Sequence, residues 1–534
     1  LLYLLVIGPI LAGILSIIFI KNDTRLFIIL SQVLLFILSI AVFLEVRTRG
    51  IIYSYMSNLP DSIAITLMAD NISSMFILLT STIFLMMVIY SYKKDFFTSQ
   101  FGFLLLVLQG LVSALFLSTD LFNLFIMLEV STVTVSILIM INKEKQAIYD
   151  GMIYFFVNVI GTSFLLFGIG MIYRTTGLLD MRAVQEVLPQ LDSPAAVYLP
   201  FALMMTTLSL KTAVVPLFSW LPKAHGTPSA PPVVSALLSG LFIKTGVYMF
   251  IRFTAMFGPV INIREVFLVI GVITSVFGFV MALGQNDIKM ILAYSTVSQI
   301  GLIMIGLNMG SDIAFWGSLF HVFSHAIFKS TLFLAAGQVY EQYGTRDIRF
   351  IRGLFKTMPL TAIAILLGIL GVTGAPLFNG SISKYMISYG SYRPTIQFAL
   401  NLINLGTITY FLKFGTILLG KDSRTEEAKK VKPDLISEIL VFVMGIFIFL
   451  TGIFGQFTID VLFDFQVEIF SGEYFEKGLV YVLMIIAGLG FYNGVIKKGG
   501  FLDRVSHIEM TFNAIITSMT GFFIFITAYL YFFV

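Results

Sequence analysis

Six ionisable side chains lie where water should be scarce. Lys211, Lys244, Lys329, Lys384 and Lys413 fall within otherwise apolar runs, and Glu129 is the one acidic residue well inside such a run. A lysine at the centre of a membrane helix costs on the order of 2.5–3.5 kcal/mol, so five bare ones would cost roughly 12–18 kcal/mol. They must be paired, hydrated or functional. Desolvation disfavours the charged form of either residue type, and an ion pair between them restores it. A lysine whose carboxylate partner swings away can therefore release its proton, which turns the breaking of the pair into a switch. The competing reading has each lysine snorkel to an interface or tie helices together. It suits Lys413 best, eight residues from Lys421, and suits Glu129, Lys211 and Lys244 least, because all three are mid-run.

A second set lies on one stretch. His321, His325 and Lys329 follow one another at i, i+4 and i+8, which lines one face of a helix with titratable groups. Zinc binding is disfavoured, because HVFSH lacks the glutamate of the zincin motif and no cysteine or nearby acidic third ligand is available. A histidine pair that only packs is the structural alternative. Tyr294, Ser295, Thr296, Ser298 and Gln299 could extend a hydrated path, although such hydroxyls also glue membrane helices together.

The elements that must position these groups are membrane helices. The chain has 534 residues, 58% of them hydrophobic and only 12% charged, with a mean hydropathy of +0.96. Lipid is its solvent, and continuously apolar runs indicate helices where barrel strands would alternate. About sixteen spans are legible, so the fold expected is an all-α polytopic membrane protein. The first span is read as a retained helix, since no small-residue cleavage site follows it. Zero cysteines exclude disulfides, thiolate ligation of iron–sulfur clusters and thiol chemistry. No basic arm suggests nucleic acid, and no strand-loop-helix glycine motif suggests a nucleotide cofactor. No cofactor, metal or catalytic site is expected in this chain.

Of the 33 Lys and Arg residues, the odd-numbered connections hold 20, the even ones eight and the spans five. The positive-inside rule then makes the odd connections cytoplasmic and puts both termini on the outer side of the cell membrane. Segment 174–195 reads as an amphipathic interfacial stretch of an external loop. The charged linker from Lys421 to Pro433 separates a functional core from three C-terminal spans.

Two spans are interrupted. The seventh runs through Lys211 into Pro216, and the twelfth carries Gly374, Pro376, Asn379 and Gly380 ahead of Lys384. Both contain Pro-Leu-Phe, at 216–218 and 376–378. Five spans apart, they cross in opposite senses, as corresponding helices of an inverted repeat must, and broken helices are where transporters hold ions. The organisation expected is therefore three N-terminal helices (1–97), a first repeat of helices 4–8 (98–252), a second of helices 9–13 (265–420), and the linker with three final helices (421–534).

The strings DLFNLFIMLE (120–129), SLKTAVVPLFSWLPKAH (209–225), APPVVSALLSGLFIKTGVY (230–248), LAYSTVSQIG (292–301) and HVFSHAIFKSTLFLAAG (321–337) resemble the antiporter-like subunits shared by complex I, Mrp-type sodium/proton antiporters and membrane-bound hydrogenases. The resemblance covers roughly residues 60 to 420. It implies a fourteen-helix core with two inverted five-helix repeats, each a half-channel, joined by a central hydrophilic axis. Glu129 matches the glutamate of the fifth helix and Lys211 its partner on the broken seventh. Lys244 matches the bridging lysine of the eighth, His321, His325 and Lys329 the central connection, and Lys384 the terminal residue of the broken twelfth. Some complex I members carry glutamate at that last position, and the stretch before Glu129 looks more like the Mrp and hydrogenase branch.

The function expected is that of a proton-translocating, or Na⁺/H⁺-exchanging, subunit of a larger membrane complex. Its partners would be antiporter-like and small membrane subunits, with or without a redox module supplying the energy. The relay would comprise Glu129, Lys211, Lys244, His321, His325, Lys329 and Lys384, with Lys413, Ser295 and Ser298 secondary and Pro216 and Pro376 marking the breaks. The alternatives are a non-conducting scaffold subunit of such a complex and a self-sufficient secondary transporter.

Overall fold

The computed structural model describes residues 1–18, 24–55, 66–226, 230–425, 434–497 and 510–534. Most of the charged linker (426–433) and of the last connection (498–509) lies outside the described residues. Among those described, thirteen helices are long and apolar enough to cross a bilayer, from Thr24–Arg49 to Phe512–Phe533. Three further spans of the sequence reading take shorter forms: Leu2–Ile18, with Pro9 inside it, and the two interrupted segments. Helices are what a chain this apolar must form, since each satisfies its own backbone groups where no water can. Many Leu, Ile and Phe side chains on the outer helices are exposed, as lipid contact requires. A small hairpin, Ile52–Tyr55 against Thr66–Ala69, pairs antiparallel with Ile52 opposite Ala69.

The chain divides into two compact units. The first comprises Leu1–Ala230, Leu241–Ile263 and Met510–Val534. Its helix Ser99–Leu117 packs against Leu2–Ile18, Asn71–Ser91 and Leu121–Ile139, and the final helix lies on Tyr198–Lys211. A buried aromatic cluster of Phe76, Phe116 and Tyr248 is pinned by the Tyr248 hydroxyl, which donates to the Phe116 carbonyl at 2.6 Å. Segment 174–195 forms the short helix Met181–Val187, capped by Asp180, with Met181 and Val184 buried and Glu186 exposed.

The second unit comprises Pro231–Gly240 and Arg264–Glu509. Its tightest pair is Arg264–Gly284 against Ile288–Leu307. A Cβ on Gly278 would stand 2.4 Å from the Ser298 nitrogen, and one on Gly301 would stand 2.5 Å from the Ser275 nitrogen. Between them, Ser275 Oγ donates to the Ser298 carbonyl at 2.9 Å and Ser298 Oγ to the Ser275 carbonyl at 3.0 Å. Small residues let these backbones approach, and the close contact replaces the hydrophobic drive that lipid cannot supply.

One local arrangement occurs in both units at an offset of 167 residues, from position 121 to position 288. In the first unit the Leu121 N–H donates to the Leu179 carbonyl and the Met181 N–H to the Thr119 carbonyl, both at 2.9 Å. In the second, the Ile288 N–H donates to Arg346 and the Ile348 N–H to Asn286, again at 2.9 Å. Asp120 and Asp287 cap the helices that start there. The following helices, Lys145–Thr176 and Asp312–Tyr343, have 32 residues each and end on left-handed glycines, Gly177 and Gly344.

Candidate functional site

In the first unit the site is built around a helix end. Tyr198–Lys211 stops at Lys211, Ala213 takes a positive φ of 53°, and Trp220–Gly226 resumes the path beyond Pro216. Carbonyls freed at such an end favour a nearby cation, and the Trp220 indole satisfies one of them by donating to Leu210 at 2.7 Å. Lys211 is buried, and its Nζ donates to Thr132 Oγ1 at 2.7 Å. Thr132 is three residues past Glu129 on Leu121–Ile139, so the two share a helix face. Glu129 in turn accepts from the Thr162 hydroxyl, and its charge acts on Lys211 without a direct ion pair. The threonine that holds the lysine is thus one turn from the carboxylate, which is itself held by a second threonine.

Helix Ile243–Phe257 closes this site. A Cβ on Gly246 would stand 2.9 Å from the Lys211 carbonyl carbon and from the Thr212 nitrogen, so only glycine lets the helix lie this close to the break. Two residues earlier Lys244 is fully buried, and the Phe242 ring lies 5.8 Å from Lys211 Nζ. The helix begins at Pro232 and contains a π-turn at Leu238–Phe242. Such turns often mark functional positions.

In the second unit, His321 joins three helices: its Nδ1 lies 2.8 Å from Ser383 Oγ and its Nε2 lies 3.1 Å from Gln299 Oε1. Gln299 continues to Thr407 Oγ1 at 3.3 Å. His325 is buried with its ring centre 6.2 Å from that of His321. Lys329 Nζ donates to the Leu292 carbonyl at 2.9 Å and to the Ser295 hydroxyl. Ser298, by contrast, turns to Ser275 in the packing described above.

The break in the twelfth span runs from Gly374 to Phe378, between Pro359–Thr373 and Asn379–Tyr389, with positive φ at Gly374 and Leu377. Pro376 sits inside it. Lys384 folds back to this break: its Nζ donates to the Val372 carbonyl and to Asn404 Oδ1, each at 2.8 Å. Lys413 reaches the carbonyls of Leu283 and Gln285, at 2.9 and 2.6 Å, and so secures the end of Arg264–Gly284. The structure therefore brings Glu129 and Lys211 to one site and Ser295 and Lys329 to another. His321, Lys384 and Lys413 have separate partners within the second unit.

Several participants escaped the sequence reading. Thr132, Thr162, Asn404 and Thr407 are ordinary polar residues that acquire a role only through contact. Arg252 and Asp70 form an ion pair at 2.7 Å, with both side chains largely buried. Burial pushes the Asp70 carboxyl up, but the Arg252 hydrogen bond and charge and the Ser73 bonds more than offset it, leaving Asp70 below its usual range. A cavity of about 200 Å³ beside Lys384 is also lined by Lys477, which the sequence places at the edge of a span.

The family described as NADH:quinone oxidoreductase/Mrp antiporter, TM, matches residues 118–409, which includes every relay candidate read from the sequence except Lys413. The chain belongs to this family. Among family relatives, the Na(+)/H(+) antiporter D subunit of Alkalihalophilus pseudofirmus is 27% identical, over 86% of this chain and 94% of the relative. The NADH-quinone oxidoreductase N subunit of Desulforudis audaxviator is 32% identical, over 63% of this chain and 70% of that protein. Among solved structures, a chain of the membrane-bound sulfane sulfur reductase, an archaeal respiratory membrane complex, superposes with a TM-score of 0.80 at 24% identity, covering 91% of this chain and 99% of its own. That likeness is one of fold. The resemblance read from the sequence strings is thus to the family the chain belongs to.

Proposed function

We propose that this protein is the ion-translocating subunit of a multi-subunit membrane complex, and that the ion it carries is the proton. The family membership and the relatives named as antiporter and quinone oxidoreductase subunits support an ion-translocating role. The observation that carries the choice of ion is Lys211, suspended on Thr132 one turn from Glu129 at a helix break. Amines and imidazoles accept and release protons, whereas an ammonium offers no lone pair to a sodium ion.

In the first half-path Lys211 moves between Thr132 and Glu129. Pairing with Glu129 holds the proton on the lysine, and return to the neutral hydroxyl favours its release. Lys244 receives it. In the second half-path Lys329, His325, His321 and Lys384 carry the proton through Ser295, Gln299 and Ser383. Lys413 and Ser298 serve packing in this reading. The arrangement recurring at an offset of 167 residues supports two five-helix repeats, 98–252 and 265–420, of opposite orientation. The distribution of Lys and Arg supports both termini on the outer side of the cell membrane. Bonds at both His321 nitrogens favour conduction over a purely scaffolding role, because they join the histidine to polar groups on either side.

The test is Lys211→Ala in the assembled complex reconstituted into liposomes. Proton movement should be lost while the subunits still co-purify, and wild-type pumping by this variant would sink the proposal.

A further inference from the structure

We infer that the helix Gly472–Phe491, which follows the matched family region, completes the path beyond Lys384 and that its Lys477 is the next proton-carrying group. The inference rests on the relay proposed above.

The helix is fastened to the interrupted twelfth span and its surroundings along a single stripe. Tyr474 accepts from the Leu377 N–H at 2.9 Å, a donor the break has released from helical bonding, and from Ser381 Oγ at 3.0 Å. One turn on, Lys477 Nζ donates to Ser388 Oγ at 2.8 Å and lies 5.1 Å from the centre of the Tyr385 ring. Tyr481 meets Thr373 Oγ1 at 2.8 Å, on the other side of the break. Leu479, Leu483 and Ile486 are exposed on the remaining faces. The polar stripe at i, i+3 and i+7 therefore faces the broken helix and the apolar faces point away from it.

Lys477 does not behave as a snorkelling lysine. It is half-buried in the second turn of its helix and turns inward, over an aromatic ring, to a hydroxyl. Lys384 and Lys477 both line the cavity of about 200 Å³, and Ser388, Gln397 and Asn404 provide its hydrogen-bonding groups. A cavity of that size, with these polar side chains set in a largely apolar wall, accommodates water beside them. Ser388 in turn donates to Gln397 Oε1 at 2.8 Å, so polar groups continue past Lys477. The step is a plain proton transfer. The Lys384 ammonium gives its Nζ proton through cavity water to a neutral Lys477 amine, which becomes ammonium and passes the proton on, while the preceding groups of the relay return a proton to the Lys384 amine, so each lysine ends as it began. Travel in the opposite sense uses the same groups in reverse.

The test compares Lys477→Arg and Lys477→Gln in the reconstituted complex, with Lys211→Ala and Lys384→Ala alongside. Arginine keeps the charge and can still bond Ser388, but it does not give up its proton. A relay therefore predicts at least a fivefold drop in proton movement for both Lys477 variants, whereas an anchor predicts wild-type transport for Lys477→Arg, which would overturn the inference. If Lys477→Gln fails to assemble, the arginine variant still decides. Because the chain has no cysteine, Asn401→Cys in the cavity wall gives a second measurement. Transport by that variant, before and after labelling with a trimethylammonium-ethyl thiosulfonate, should fall at least fivefold, with the unmodified complex controlling for thiols of other subunits. Full labelling without loss would also overturn the inference. If Lys211→Ala and Lys384→Ala pump normally as well, the relay itself is wrong; if they fail while Lys477→Arg pumps, only this extension is.

Discussion

Replacing Thr132 by valine removes one hydroxyl and keeps the side chain's shape. In the structure that hydroxyl accepts from Lys211 Nζ at 2.7 Å and donates to the Leu128 carbonyl at 2.8 Å. A hydrogen bond to a charged group is worth about 1.5–3 kcal/mol. Without it the lysine is left with Glu129, which lies one turn from Thr132 on the same helix face, so the balance between paired and released lysine shifts toward the pair by about that amount. At about 1.4 kcal/mol per factor of ten, the released form falls roughly 10- to 150-fold. Since that form delivers the proton, transport should slow at least tenfold, while the helix, whose backbone bonds are untouched, still folds. The assay is acidification of inside-out vesicles followed by a pH-sensitive dye, with complex content measured on native gels. Thr132→Ser keeps the hydroxyl and should retain most of the rate. Wild-type transport by Thr132→Val would refute the idea that Lys211 works by alternating between the hydroxyl and Glu129.

Four further outcomes follow from the same contacts. Arg252→Leu strands the partly buried Asp70 carboxylate, so the complex should lose about 3–5 kcal/mol of stability, seen as reduced yield and a lower melting temperature; the double variant Arg252→Leu/Asp70→Leu should recover part of it. Because Asp70 is held below its usual range, its stabilising contribution is fully present above about pH 4 and is lost only as pH falls through the depressed native value; in Asp70→Asn that acid-dependent component of the melting curve should vanish. Gly278→Val places carbon 2.4 Å from the Ser298 backbone and should cost about 1–3 kcal/mol through overpacking, read as poor recovery on size exclusion. Lys384→Gln keeps a donor for the Val372 carbonyl but no titratable group, so it should assemble normally and lose transport in the same vesicle assay.

How much was legible depended on whether a residue's type alone made it improbable. Lys211, Lys329 and Glu129 stand out because a charge in an apolar run needs a reason, and the structure gives each a specific polar partner. The breaks were legible too, since Pro216 and Pro376 sit among glycines and polar residues inside apolar runs. Thr132 was not, because Leu121–Ile139 also carries Ser131, Thr134 and Ser136, and periodicity cannot say which hydroxyl meets a lysine 79 positions later. Ser298 shows the converse. Its neighbourhood reads as relay, yet its bond to the Ser275 carbonyl closes a helix pair. Asp70 and Arg252, 182 positions apart, each lie near the end of an apolar run, where a charge attracts no notice, and only their meeting makes them an ion pair.

Although Lys94, Asp150, Lys289 and Glu438 are buried as well, composition and local pattern were enough to establish the solvent, the helical class, the places where helices break, the family and four of the buried lysines, Lys211, Lys244, Lys329 and Lys413. These follow from the cost of moving polar groups into hydrocarbon, which each residue incurs wherever the chain folds. Partners emerged only once the chain was packed: Lys211 rests on Thr132, Lys384 returns to the end of its own broken span, and a helix beyond the matched family region brings Lys477 to the same cavity. Partnership depends on angstrom-scale approach between elements far apart in the chain, fixed by glycines such as Gly246 and Gly278 that let one helix lie on another, and hydropathy along a sequence carries no record of that distance.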